Sequence, residues 1–229
     1  MQFFKKPEAL FFDLDGTLID TIAQLSKAAQ KTALSIGVDA PSLETTKSFV
    51  GNGVQLLLAR VIEGRFDVDL SLVDKELLKK ARQVFNEVYL QGLKDDFKVY
   101  PQVFETLDYC RENGIKTAVI TNKPYIFAEP LLSYANLSDR FDFILGGEIL
   151  DKKKPDPSPL NYVREKLNLK TNNIGMVGDS DNDMLPAVAL NLCSIFFTFG
   201  YCRKKISEIV SDYKFSSYGE LLDLLKSLS

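Results

Sequence analysis

Four clusters of polar residues in this sequence could do chemistry, and each lies just beyond an apolar run. Asp13-Leu14-Asp15-Gly16-Thr17 follows Leu10–Phe12, and Thr121-Asn122-Lys123 follows a run ending at Ile120. Lys152-Lys153-Lys154-Pro155 comes after Phe143–Leu145 and Gly146-Gly147, and Gly178-Asp179-Ser180-Asp181-Asn182-Asp183 follows Ile174–Val177. If the first strand persists to Asp15, Asp13 and Asp15 project to one side of it. Like charges that close call for a cation near them. The chain has no histidine, which removes His-based triads and His-ligated zinc and leaves acid–base work to carboxylates, Lys, Tyr, Cys or metal-bound water. Carboxylate oxygens suit a hard cation, Mg²⁺ foremost. A hydroxyl, backbone amides and a lysine suit a phosphate group.

Each cluster also has a plainer reading. Asp13 and Asp15 could end a strand in a solvated acidic turn. Thr121-Asn122 could cap the next helix, Lys152–Lys154 could be a solvated charge run, and Asp179–Asp183 could be a capping turn. The last stretch also resembles part of a calcium loop, but the glycine and terminal glutamate of that motif are missing. What favours chemistry is that all four clusters fall at successive strand ends of one sheet, where open parallel sheets place their sites.

The elements that must position them follow from periodicity. Residues 20–95 read as consecutive helices: Ile22 to Ile36 closed by Gly37, a short helix from Pro41-Ser42 towards Val50, the turn Gly51-Asn52-Gly53, a stripe from Val54 to Ile62, a polar loop over 64–69, and a long helix ending near Gly92. From Tyr100 helix and strand alternate. Helices are expected at 103–113, up to about 135 (with Pro130 inside), at 159–167 and 181–190, over 203–210 and from 221 to 228. Strands are expected at 117–120, 143–145, 174–177 and 193–199, with a short edge strand at 213–215. The fold class is therefore α/β, a doubly wound parallel sheet formed by residues 1–19 and 96–229, with an inserted helical domain at 20–95.

Composition bounds the rest. The 229 residues are 45% hydrophobic and 26% charged, with a formal net charge of −3, an ordinary globular mix that favours neither nucleic acid nor an anionic membrane as partner. Three cysteines without metal-ligand spacing read as core positions at Cys110 and Cys193 and a more exposed one at Cys202, in keeping with a cytoplasmic location. The N-terminal region does not read as a signal peptide, and no apolar run is long enough for a membrane span.

Taken in order, these clusters resemble the four motifs of the haloacid dehalogenase superfamily: Asp13–Thr17, Thr121, Lys154, and Gly178-Asp179 through Asp183. Val50–Gly53, Val119–Pro124, Lys154–Pro157 and Phe199-Gly200-Tyr201 resemble its phosphoglycolate phosphatase subgroup. One departure is that the helix after Asp183 ends in Ala189-Leu190-Asn191, where the subgroup usually has a glycine and where an altered turn is expected. The resemblance implies a Mg²⁺-dependent phosphomonoester hydrolase acting on a small phosphorylated metabolite, 2-phosphoglycolate first, as a monomer or homodimer. It implies Asp13 as nucleophile and Asp15 as acid–base. Asp13, the Asp15 backbone carbonyl and Asp179 would hold the metal, supported by Thr17 and Asp183. Thr121, Asn122 and Lys154 would bind phosphate, and Gly51, Asn52 and Gly53 would form a substrate loop in a helical cap. Other small phosphates, including sugar phosphates and pyrophosphate, stay open as substrates. A phosphomutase is the second reading, weakened by the missing cap histidine. A phospho-accepting receiver is the third, weakened by the helical insertion. Dehalogenase chemistry gives Asp15 no alkoxide to protonate.

Overall fold

The structure is a computed structural model and describes residues 5–228. It divides into two compact units, one running to Ile19 and resuming at Val99, the other Asp20–Lys98.

The first unit is built on a six-stranded parallel sheet. Its strands are β1 (Ala9–Phe12), β4 (Lys116–Pro124), β5 (Phe143–Gly147), β6 (Ile174–Gly178), β7 (Cys193–Phe197) and β8 (Tyr213–Phe215), in the order β5-β4-β1-β6-β7-β8. The central strands β1 and β6 carry no polar side chain, as a sheet covered on both faces requires. Among the described residues this unit has five α-helices: α5 (Val103–Glu112), α6 (Tyr125–Tyr134), α7 (Ser158–Lys166), α8 (Asp181–Ala189) and α9 (Tyr218–Ser227). Leu160 and Val163 of α7 and Ala187 of α8 pack with Ala9 and Phe11 of β1, Ile120 of β4 and Met176 of β6 in one buried core. The strand order reverses at β1, which pairs with β4 on one side and β6 on the other. Phe12 is level with both Val119 and Val177, so the residues after β1, β4 and β6 emerge together at one edge of the sheet.

The second unit holds α1 (Ile22–Ile36), α2 (Leu43–Phe49), α3 (Val54–Glu63) and α4 (Lys75–Gln91). Ser42 caps α2 by accepting from the Thr45 amide, and Asp74 caps α4 by accepting from the Glu76 and Leu77 amides. Inside it, the buried Gln24 donates to the Leu93 carbonyl at 2.8 Å and accepts from the Tyr89 hydroxyl at 3.2 Å. Two-residue strands, β2 (Ile19–Asp20) and β3 (Lys98–Val99), pair with each other.

Several expectations need correction. β1 stops at Phe12, so the condition for Asp13 and Asp15 to share a strand face is not met; the chain turns at once, with the Thr17 and Leu18 amides donating back to the Leu14 carbonyl. β4 runs on to Pro124 through residues expected to follow it, with a register irregularity between Ile120 and Pro124. Thr121 and Asn122 therefore do not cap α6, whose N-cap is Pro124. Residues 203–210 form only the single 3₁₀ turn Ile206–Glu208. That segment carries β-branched Ile206, Ile209 and Val210, poor helix formers, and of these Ile209 alone is buried. Asn191 has φ 54°: it takes the left-handed conformation that glycine would supply, which Asn adopts more readily than most residues, so the turn is kept.

Candidate active site

Asp13 follows β1 directly, and its backbone amide donates to the Val177 carbonyl of β6 at 2.9 Å. Asp179 follows β6, and Asp183 lies one turn into α8. Carboxylate oxygens of Asp13, Asp179 and Asp183 lie within 4.8 Å of one another. Asp183 is fully buried because it serves three groups. Its Oδ2 accepts from the Ser180 amide and hydroxyl, closing a capping box, while its Oδ1 accepts from Lys154 Nζ at 2.6 Å. The capping role expected for this stretch and its place in the acid cluster are thus both present. Lys154, itself buried, also reaches Asp13 at 3.0 Å, so it is no solvated charge.

The electrostatics follow from that burial. Loss of water pushes Asp13 up to about 6, against the pull of Lys154, with Asp183 and Asp15 adding to the rise. Burial, then Asp183 and Asp13, drive Asp179 well above the ordinary carboxylate range. Burial alone would lower Lys154, but Asp13 and Asp183 hold it above its usual value. One ammonium does not balance three acids. The donor set is all carboxylate oxygen, the chemistry of a hard cation, and the residues therefore fit a divalent ion such as Mg²⁺.

Two glycines make room for Asp179. A Cβ on Gly200 would lie 2.2 Å from Asp179 Oδ2 and 2.3 Å from its Cβ. Gly16, at φ 81°, stands where a Cβ would lie 2.4 Å from the same oxygen. The Tyr201 amide donates to Asp179 Oδ2.

Thr121 Oγ1 accepts from the Lys123 amide at 3.1 Å, and the Asn122 side chain donates to the Lys154 carbonyl at 2.9 Å, tying the β4 end to the lysine loop. Thr121, Asn122 and Lys154 line one recess with Gly146 and Gly147. Thr17 is buried; its carbonyl accepts from the Tyr218 hydroxyl at 3.1 Å, while its own hydroxyl has no hydrogen-bond partner. Asp15 stands outside the acid triad, paired with Lys123. Gly51, Asn52 and Gly53 belong to the helical unit, where the buried Arg60 donates to Asn52 Oδ1 at 3.1 Å and to the Phe49 carbonyl at 2.6 Å. Lys123, Gly200, Tyr201 and Arg60 were not singled out from sequence as site residues. For Lys123 a signal existed: its place beside Thr121 and Asn122 in the polar cluster beyond the second apolar run.

The pattern of the haloacid dehalogenase-like hydrolases matches residues 10–197. The chain is 36% identical over 223 residues to a phosphoglycolate phosphatase of Colwellia psychrerythraea, covering 97% of this chain and 98% of that one. It is 35% identical to one of Vibrio parahaemolyticus, covering 93% and 94%. A crystal structure of a predicted phosphoglycolate phosphatase from Haemophilus somnus superposes with a TM-score of 0.88 at 26% identity, covering 96% of this chain and 99% of that one. A match over most of the chain, with the motif residues gathered at one sheet edge, makes this protein a member of the haloacid dehalogenase-like hydrolase family.

Proposed function

We propose that this protein is a Mg²⁺-dependent phosphomonoester hydrolase working through an aspartyl-phosphate, with a small organic phosphate as substrate and 2-phosphoglycolate as first candidate. The observation that carries the reading is the meeting of Asp13, Asp179 and Asp183 around Lys154 at the point where the strand order reverses. The substrate rests on likeness to phosphoglycolate phosphatases over nearly the whole chain.

Asp13 attacks phosphorus as the bond to the substrate oxygen breaks, and the Asp15 carboxyl gives that oxygen its proton. Water then attacks the acyl-phosphate while Asp15 takes a proton from it, releasing phosphate and restoring Asp13. Lys154, Thr121 and neighbouring amides hold the phosphoryl oxygens as charge spreads over them, with Asn122 holding the Lys154 backbone. Asp13, the Asp15 carbonyl and Asp179 would hold Mg²⁺ with Asp183 and Thr17 in support; when bound, the ion offsets the repulsion between carboxylate and phosphate. Family resemblance gives the helical unit the role of a cap, with Gly51, Asn52 and Gly53 as its candidate substrate residues. The experiment is phosphate release from a panel of small phosphomonoesters, with Mg²⁺ and with chelator. Mg²⁺-dependent release that favours 2-phosphoglycolate and vanishes in Asp13→Asn is expected; release undiminished by Asp13→Asn refutes the mechanism.

A further inference from the structure

Lys123 belongs neither to the acid triad nor to the phosphate-holding set. Its side chain is 3% exposed, and its Nζ lies 2.9 Å from Asp15 Oδ1 and 3.1 Å from Oδ2. One ammonium thus engages both oxygens of the carboxylate, which restricts rotation of the group as well as its position. The lysine is anchored in turn, its amide donating to Thr121 Oγ1 at the end of β4.

Asp15 lies two residues from Asp13 in sequence, yet the acids that converge are Asp13, Asp179 and Asp183. A carboxylate two residues from a proposed metal ligand would be a natural further ligand, since hard cations gather oxygen donors readily. A carboxylate bound to the ion is a poor shuttle for protons, because the ion occupies the electron pair that would take the proton. Two lysines divide three of the four acids between two jobs. Lys154 sits with Asp13 at 3.0 Å and Asp183 at 2.6 Å, inside the cluster, and Lys123 takes Asp15. We infer that Lys123 is a positioning residue that holds the Asp15 side chain apart from the acid triad, so that Asp15 serves proton transfer rather than the cation. The inference rests on the reading of Asp15 as acid–base.

The test compares Lys123→Met, Lys123→Arg, Asp15→Asn and the double variant Lys123→Met/Asp15→Asn for turnover of the best phosphomonoester and for Mn²⁺ affinity by electron paramagnetic resonance. Lys123→Met should lower kcat about 100-fold, the scale of a misplaced acid–base group, with KM changed less than about 3-fold and partial recovery in Lys123→Arg. In the Asp15→Asn background the same change should cost less than about 2-fold, because a residue acting through Asp15 has nothing left to act on. Mn²⁺ should bind Lys123→Met more tightly than wild type, and the double variant should lose that gain. Multiplicative losses in kcat, or a gain in Mn²⁺ affinity that persists in the double variant, overturn the inference. Wild-type turnover in Asp15→Asn refutes the acid–base reading instead; an inactive Asp15→Asn beside a fully active Lys123→Met refutes only the role of Lys123. Should Lys123→Met not fold, Lys123→Gln, which keeps a donor, carries the same comparison.

Discussion

Replacing Lys154 by methionine isolates the charge balance of the site. The Lys154 side chain is 2% exposed, and its Nζ lies 2.6 Å from a fully buried Asp183 and 3.0 Å from Asp13. Methionine keeps the length of the side chain and removes only its charge and donors. Breaking a buried ion pair from one side costs about 3–5 kcal/mol, because the partner is left charged and unsolvated. In a chain of this size each kcal/mol moves the unfolding midpoint by about 2–4 °C, so the midpoint in chelator should fall by roughly 6–20 °C. The loss should be partly recovered by Mg²⁺, since an ion that binds only the folded state at 100 times its dissociation constant adds about 2.7 kcal/mol. Turnover should fall as well, because Lys154 is proposed to hold the phosphoryl oxygens as charge spreads over them. Thermal unfolding of both proteins in chelator and in Mg²⁺ is the assay. A midpoint within about 2 °C of wild type in chelator refutes the reasoning: the acids would then be shedding their charge at little cost, and Lys154 would not be what holds them together.

Gly200→Ala should abolish the Mg²⁺-induced rise in midpoint, because a Cβ 2.3 Å from the Asp179 Cβ forces that side chain out of the triad; its own destabilisation should stay near about 1–3 kcal/mol, and an unchanged Mg²⁺ response counts against the cluster as the cation site. Arg60→Met removes donors from the Phe49 and Phe66 carbonyls and from Asn52, and a cation from above the Phe66 ring at 3.8 Å; the expected loss is roughly 3 kcal/mol or more in urea unfolding, and a loss below about 1 kcal/mol refutes Arg60 as the anchor of that loop. Asp156 is held at about 2 by hydrogen bonds from the Ser158 hydroxyl and amide, with Lys152 adding to them. A carboxyl lowered in the folded state adds stability above its unfolded value near 3.8, and that stability disappears as pH falls through about 2. The difference between wild type and Asp156→Asn should therefore be constant from pH 5 upward and shrink to nothing towards pH 2, and a difference independent of pH rules this out.

Much of this protein can be read from the chain alone, because buried parallel strands and the turns that end them are local patterns. The apolar runs at β1, β4, β5, β6 and β7, the four helices of the second unit, and the acids and lysines at the strand ends all rest on residues near one another in sequence. The turn at Asn191 was not legible: an altered turn was expected there, and the structure keeps it because Asn tolerates positive φ.

What the chain could not state is how charges from distant segments pair. Asp13 and Asp15 read as one acidic pair, yet the chain turns after Phe12 and sends them to different lysines, Lys154 and Lys123, which lie 141 and 108 residues away. Gly200 looks like an ordinary loop glycine until Asp179 is seen against it. Sequence determined which chemical groups the sheet edge carries, because strand periodicity and strand-ending residues are local. Only the tertiary structure decided which group faces which, because ion pairing and close packing depend on distances of a few ångströms between segments that sequence leaves far apart.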